Sequence, residues 1–391
     1  MNADNTKTVH GQVAKGFEPI RDAFASNIEQ HEVGAAVCVY KHGTKVVDLW
    51  GGSFDAAGTA PYNSDTLQLV FSTTKGITAM CLAICVDRGL LDYDRPVADY
   101  WPEFAAAGKG AVTVAELVSH RAGLPFTEPA ITIEDCLAWD PVCAALAKQA
   151  PMWEPGSAHG YHALTYGWLA GELVRRVDGR PIGQFVAEEL AGPLGVEFWI
   201  GLPESQEQRV SPLIASPALA PEAKALADMF MGPETLGGKA LSNNGAFGSL
   251  DSADSKFNSR AVHAAAIPAA NGITNARSLA KLYAACIGDV DGVARRIAPA
   301  TLDRATTTVT SGADRCLLIE TTFGMGFMTS GPLTAMLGPG SFGHAGAGGS
   351  LAFGHPKRGI GFGYVMNQMD NNLAGDPRVL ALLAALERCD D

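Results

Sequence analysis

The two ends of the chain carry the same pair of elements in opposite order, and this constrains the fold more than any other feature. Phe17, Ile20, Phe24 and Ile28 recur at spacings of three and four, the stripe of an amphipathic helix. Two Val-rich runs follow at 34–40 and 44–50, separated by Lys41-His42-Gly43, and predict a β-hairpin. Near the other end, 350–353 and 359–367 flank His355-Pro356-Lys357-Arg358 as a second hairpin, and Asp376-Pro377 opens a helix through Leu380, Leu383 and Leu386. Helix then hairpin, answered by hairpin then helix, predicts one antiparallel sheet assembled from both ends with the terminal helices laid on it. Gly359, Gly361 and Gly363 alternate, which leaves one strand face bare for a closely packed helix.

Between these ends the pattern is helical. Segments 73–88, 113–119, 133–148, 164–177 and 182–190 have helical spacing, and Gly89, Gly179 and Gly192 stand where left-handed helix caps are expected. The stretch 203–271, rich in Ser, Pro, Ala and Asn, reads as loops around short helices. The expectation is an α/β chain of the α+β type. Residues 1–72 and 265–391 form a discontinuous sheet domain, 73–264 form a mainly helical insertion, and a site lies at their junction.

Composition removes several classes of function. Lys and Arg total 29 against 41 Asp and Glu, a net charge of −12, so a phosphate backbone is repelled and nucleic acid is not an expected partner. No apolar run approaches the ~18 residues of a membrane helix. Eight cysteines in 391 residues are too sparse for a disulfide scaffold, and the first thirty residues contain no export segment, so a cytoplasmic location is expected. Oligomeric state is not legible.

No serine has glycine at both −2 and +2, which disfavours an ordinary α/β-hydrolase. Gly346-Ala347-Gly348-Gly349-Ser350-Leu351 nearly meets a dinucleotide fingerprint, but Leu351 replaces the last glycine and a strand follows. His159 with His162, and Cys81 with Cys85, lack third and fourth metal ligands and read as a loop histidine pair and core cysteines. Ser-x-x-Lys occurs twice. Ser278 reads as a cap of an amphipathic helix, with Lys281 solvated. Ser72-Thr73-Thr74-Lys75 differs, because the apolar run 67–71 delivers Ser72 to a helix that is apolar on several sides. Lys75 is therefore sent into the interior, one helical turn from the Ser72 hydroxyl. Desolvation favours the neutral amine there, which makes Lys75 a candidate base, and the Ser72 N–H lies where an oxyanion would form.

Two further segments complete the pattern: Trp153-Glu154-Pro155-Gly156 followed by Tyr161-His162-Ala163, and the glycine-dense 342–349 with His344 and Gly346. With Ser72-x-x-Lys75, Tyr161-x-Ala163 and His344-x-Gly346 in this order, the sequence resembles the family VIII carboxylesterases, serine esterases related to class C β-lactamases and D,D-peptidases. The likeness extends to 117–124, Pro155-Gly156, 193–195 and 323–327. It implies Ser72 as the acylated nucleophile and Lys75 and Tyr161 as its proton-transfer partners. It further implies Ser72 and Ala347 N–H groups as the oxyanion hole, and His344, Gly346 and Trp153 as substrate contacts. No metal or cofactor is implied. Ala163 stands where β-lactamases have asparagine, and His344 where they have the lysine of K-T-G, so recognition of a substrate amide and of a substrate carboxylate are both weakened. The expected activity is hydrolysis of short- to medium-chain carboxylic esters, with a small-molecule ester as partner. The alternatives are a β-lactamase, amidase or acyltransferase on the same fold, or a scaffold that has lost chemistry. His120, at an expected helix end, reads as structural.

Overall fold

The computed structural model describes residues 8–252, 254–371 and 375–389. Its twelve strands are β1 (Val9–Val13), β2 (Gly34–Lys41), β3 (Thr44–Gly52), β4 (Gln68–Leu69), β5 (Phe198–Trp199), β6 (Ile273–Thr274), β7 (Thr310–Ala313), β8 (Glu320–Phe323), β9 (Met328–Thr329), β10 (Phe342–Ala345), β11 (Leu351–His355) and β12 (Ile360–Met366). Nine of them form one antiparallel sheet in the order β1-β3-β2-β12-β11-β10-β9-β8-β7, and β4-β6-β5 form a small second sheet. The expected assembly from both ends is seen at the seam where β2 pairs with β12, from Lys41 opposite Ile360 to Ala35 opposite Met366.

The helices of the first half are α1 (Glu18–Gln30), α2 (Thr74–Asp87), α3 (Val114–Val118), α4 (Ile133–Leu137), α5 (Asp140–Lys148), α6 (Thr165–Asp178) and α7 (Ile182–Val186). Those of the second half are α8 (Gly192–Leu194), α9 (Pro221–Met231), α10 (Leu236–Ser242), α11 (Arg260–Ala264), α12 (Ala276–Ile287), α13 (Pro299–Thr306) and α14 (Pro377–Cys389). Helix α1 lies on β1, β2 and β3 as expected of a terminal helix and also packs on α14, while α12 covers β2, β11 and β12. Bare glycines make that approach possible: a Cβ on Gly361 or Gly363 would lie 2.4 Å from the carbonyl oxygen of Ala280 or Ala276. Side chains alternate across a strand, so Tyr364 faces the other layer, where its hydroxyl meets Glu32 just beyond α1.

Several local expectations need correction. Gly359 is in the turn rather than on the strand face, with φ +65° and the His42 ring against its α-carbon. The 133–148 helix is two helices, because Trp139 turns left-handed at φ +69° and Pro141 lies in the first turn of α5. Helix 182–190 stops at Val186 and widens into a π turn over Ala187–Ala191. Pro193 offers no N–H to the carbonyl four residues back, and widened turns are one way to absorb such a gap. Gly192 is accordingly right-handed, and the left-handed cap is Gly195 at φ +61°. Asn275, not Ser278, caps α12; Ser278 instead accepts a hydrogen bond from the Glu197 amide. Lys281 is largely covered and ion-paired with Asp291 at 2.8 Å.

Candidate active site

Ser72 sits where the short strand β4 turns into α2. Val70 donates its amide to the Gly272 carbonyl at 3.0 Å, and Phe71 then adopts φ +43°, a region that bulky residues avoid. The Phe71 ring, 5.0 Å from that of Phe257, is buried, which holds this unfavourable turn in place. A 3₁₀ turn over Phe71–Thr73 leads into α2, so the serine hydroxyl is presented at the head of the helix. Every residue of α2 from Thr74 to Cys85 is buried, the mark of a central helix. Gly76 allows α2 to approach α12, since a Cβ there would lie on the Tyr283 hydroxyl.

Lys75 is fully buried, and its Nζ makes three contacts: Ser72 Oγ at 3.0 Å, the Ala163 carbonyl at 2.6 Å and the Ala269 carbonyl at 3.0 Å. Carbonyls only accept. A neutral amine has two N–H groups for those two carbonyls, and its lone pair then faces Ser72 Oγ. Burial drives the amine well below its ordinary range, which favours that neutral form.

Tyr161 completes the group. Lys75 Nζ lies 4.7 Å from the centre of its ring, and its hydroxyl engages the Ser72 side chain. Burial raises the phenol above its ordinary range; the Ser72 contact opposes this and the Asp314 charge adds to it. Tyr161 belongs to an irregular segment ahead of α6, yet three consecutive amides there are bonded to distant groups. Gly160 N donates to the His120 carbonyl at 3.1 Å, Tyr161 N to Asp314 Oδ1 at 3.0 Å, and His162 N to His120 Nδ1 at 3.1 Å.

The third wall comes from β10 and the turn after it. The His344 ring centre is 6.0 Å from that of Tyr161. Its Nδ1 is 2.6 Å from the Ala345 carbonyl and must carry the hydrogen, which leaves Nε2 a buried acceptor without a protein partner. Burial pushes this imidazole down to about 3. Gly346 lies against the serine turn, where a Cβ would be 2.3 Å from both the Val70 carbonyl and Ser350 Oγ. Ser350 Oγ donates to the Val70 carbonyl at 2.9 Å and contacts Thr73 Oγ1 at 3.0 Å, tying the two turns together. The Gly346 carbonyl accepts from Gly349 N at 3.2 Å, so the Ala347 N–H, across that trans peptide, points the opposite way. From α14, Arg378 reaches the Gly348 carbonyl at 2.6 Å.

A family model described as Beta-lactamase matches residues 13–386. The chain belongs to the beta-lactamase family. It is 35% identical over 380 residues to the Esterase/beta-lactamase LipL of Mycobacterium tuberculosis, covering 94% of this chain and 84% of that protein. A solved family VIII carboxylesterase is 40% identical with a TM-score of 0.87, covering 98% of this chain and 100% of its own. A penicillin-binding protein homologue from Caulobacter crescentus is 38% identical with a TM-score of 0.86, over 98% and 100% of the two chains.

Of the residues singled out from the sequence, this beta-lactamase family member brings Ser72, Lys75, Tyr161, His344 and Gly346 together. Trp153 packs behind them: its ring meets His162 edge-on, lies under Arg315, and donates from Nε1 to the Ala158 carbonyl at 3.1 Å. His162 is committed to the Leu124 amide and the Gly160 carbonyl, and His159 to Thr321. Among the described residues no group of three His, Cys, Asp or Glu side chains is placed to hold a metal ion. Cys81 and Cys85 are buried and unpaired to each other, as core residues are. Sequence reasoning missed the two carbonyls on Lys75, since a backbone acceptor carries no residue-type signal. It also missed Asp314, which lies in no motif. No described helix is long and apolar enough to cross a membrane.

Proposed function

We propose that this chain is a serine esterase that hydrolyses short- to medium-chain carboxylic esters through an acyl-Ser72 intermediate. The observation that carries the reading is the Lys75 amine, whose two carbonyl acceptors leave its third contact for the Ser72 hydroxyl at 3.0 Å. Ser72 attacks the ester carbonyl as its proton passes to Lys75 or, through the shared contact, to Tyr161; the two groups titrate as a unit. Negative charge on the carbonyl oxygen is met by the N–H groups of Ser72 and Ala347. Tyr161 returns a proton to the departing alkoxide, and water activated by the same pair releases the acid. His344 and Gly346 flank the acyl group, and Trp153 stiffens the segment behind Tyr161. In this reading residues 1–72 with 265–391 and residues 73–264 form two lobes, with Ser72 contributed from one and Tyr161 from the other.

The name of the family VIII carboxylesterase structure supports the choice over lactam cleavage, as do Ala163 and the uncharged His344, while the name of LipL carries both activities. Stopped-flow hydrolysis of p-nitrophenyl butyrate, nitrocefin and a linear amide tests it. A nitrophenolate burst that disappears in Ser72→Ala, with a fluorophosphonate adduct on Ser72, is expected. Faster turnover of the lactam or the amide overturns the esterase reading, and an unlabelled Ser72 in folded protein favours a scaffold.

A further inference from the structure

Asp314 stands at the end of β7, 1% exposed, at the start of the 314–319 loop that leads to β8. An isolated carboxylate at such depth is costly unless hydrogen bonds replace its water. Here Oδ1 accepts from Tyr161 N at 3.0 Å, Cys316 N at 2.8 Å and Leu317 N at 3.0 Å. Oδ2 accepts from Thr321 Oγ1 at 3.0 Å, and that hydroxyl also meets His159 Nε2 at 2.9 Å. Arg315 N donates to the His159 carbonyl at 3.0 Å, so the Asp314 side chain and the Arg315 backbone join 159–161 at two adjacent points.

The phenol needs this support. Residues 158–162 have no helix or strand ladder of their own, and the amide of Tyr161 is the only one of the 160–162 group not held by His120. His120 holds the amides on either side, and the amide of Tyr161 itself is held by one carboxylate oxygen.

We propose that Asp314 is a positioning residue that holds Tyr161 in register with Ser72 and Lys75. The proposal rests on reading Tyr161 as the group that protonates the leaving alkoxide. It has a consequence that general loosening of the fold does not share. Nitrophenolate departs without a proton, whereas ethoxide requires one, so a displaced phenol penalises the alkyl ester selectively.

The test compares kcat/KM on ethyl butyrate and p-nitrophenyl butyrate for the full chain and for Asp314→Ala, Asp314→Asn and Tyr161→Phe. Asp314→Ala is expected to lose about 10- to 100-fold on the ethyl ester and less than about fivefold on the nitrophenyl ester. Asp314→Asn keeps an oxygen for the three amides and is expected to show the same selectivity at smaller size, and it decides the matter if the alanine variant does not fold. Equal losses on both esters, or wild-type ratios in both Asp314 variants while Tyr161→Phe is selective, overturn the Asp314 role alone. A Tyr161→Phe enzyme that spares ethyl butyrate overturns the reading of Tyr161, and the proposal with it.

Discussion

The Lys75 amine lies 3.0 Å from the Ser72 hydroxyl oxygen and fills its remaining hydrogen bonds with the Ala163 and Ala269 carbonyls. One carbonyl comes from the segment that carries Tyr161, and the other precedes β6, so the amine is aimed by two separate pieces of backbone. Its lone pair has one direction left.

Arginine cannot imitate this arrangement, because its guanidinium stays charged and has no lone pair to offer. Lys75→Arg is expected to lower the nitrophenolate burst rate by at least about 100-fold. The burst is read by stopped flow, with fluorophosphonate labelling of Ser72 slowed in parallel. A variant that retains a tenth or more of the burst rate contradicts the role of the amine.

His344 stays uncharged across the working range, because burial pushes its imidazole down to about 3. A p-nitrophenyl half-ester of a dicarboxylic acid therefore gains nothing at this wall. Its kcat/KM is expected to fall at least about tenfold below that of the corresponding methyl diester, a difference of about 1.4 kcal/mol. Equal kcat/KM for the two esters would show that some other cation meets the carboxylate.

Three buried imidazoles make the fold sensitive to acid well above carboxylate titration. Burial lowers His162 to about 4 and His344 to about 3, and holds His120 well below its ordinary range. Because the folded values are depressed, the unfolded chain binds more protons as pH falls from about 6.5, and stability present above that pH is lost. His162 and His344 each account for about 2 kcal/mol of loss at pH 5. Urea unfolding at pH 7.5 and 5.0 is expected to show the fall, with His162→Gln reducing it. A stability that is flat over this interval contradicts burial of these rings in neutral form.

Gly346→Ala places a methyl group 2.3 Å from both the Val70 carbonyl and Ser350 Oγ, which must separate the serine turn from the turn that carries Ala347. The variant is expected to lose about 1–3 kcal/mol of stability and at least about tenfold in kcat/KM. Thermal unfolding and ester turnover measure the two effects. Unchanged turnover would remove Ala347 from the oxyanion hole.

Much of this was legible in the sequence, for identifiable reasons. The Phe17, Ile20, Phe24, Ile28 stripe and the alternating Gly361 and Gly363 report one-dimensional spacing, and the fold uses both as spacing predicts. Ser72 and Lys75 are three apart on one turn, so their encounter needs no tertiary knowledge. The breaks at Trp139 and near Pro193 were hidden because apolar periodicity runs on across them. Lys75's carbonyl partners and the Asp314 clamp depend on long-range packing of backbone atoms, to which residue identity is blind.

The β2 and β12 seam has a consequence for how the molecule is made. During synthesis the helical middle emerges well before residues 360–366, so β2 waits on the ribosome with one edge unsatisfied. Gly346 and the Arg378 tether to Gly348 also follow the helical middle, so the third wall of the site is assembled after the segments that carry Ser72 and Tyr161 are already made.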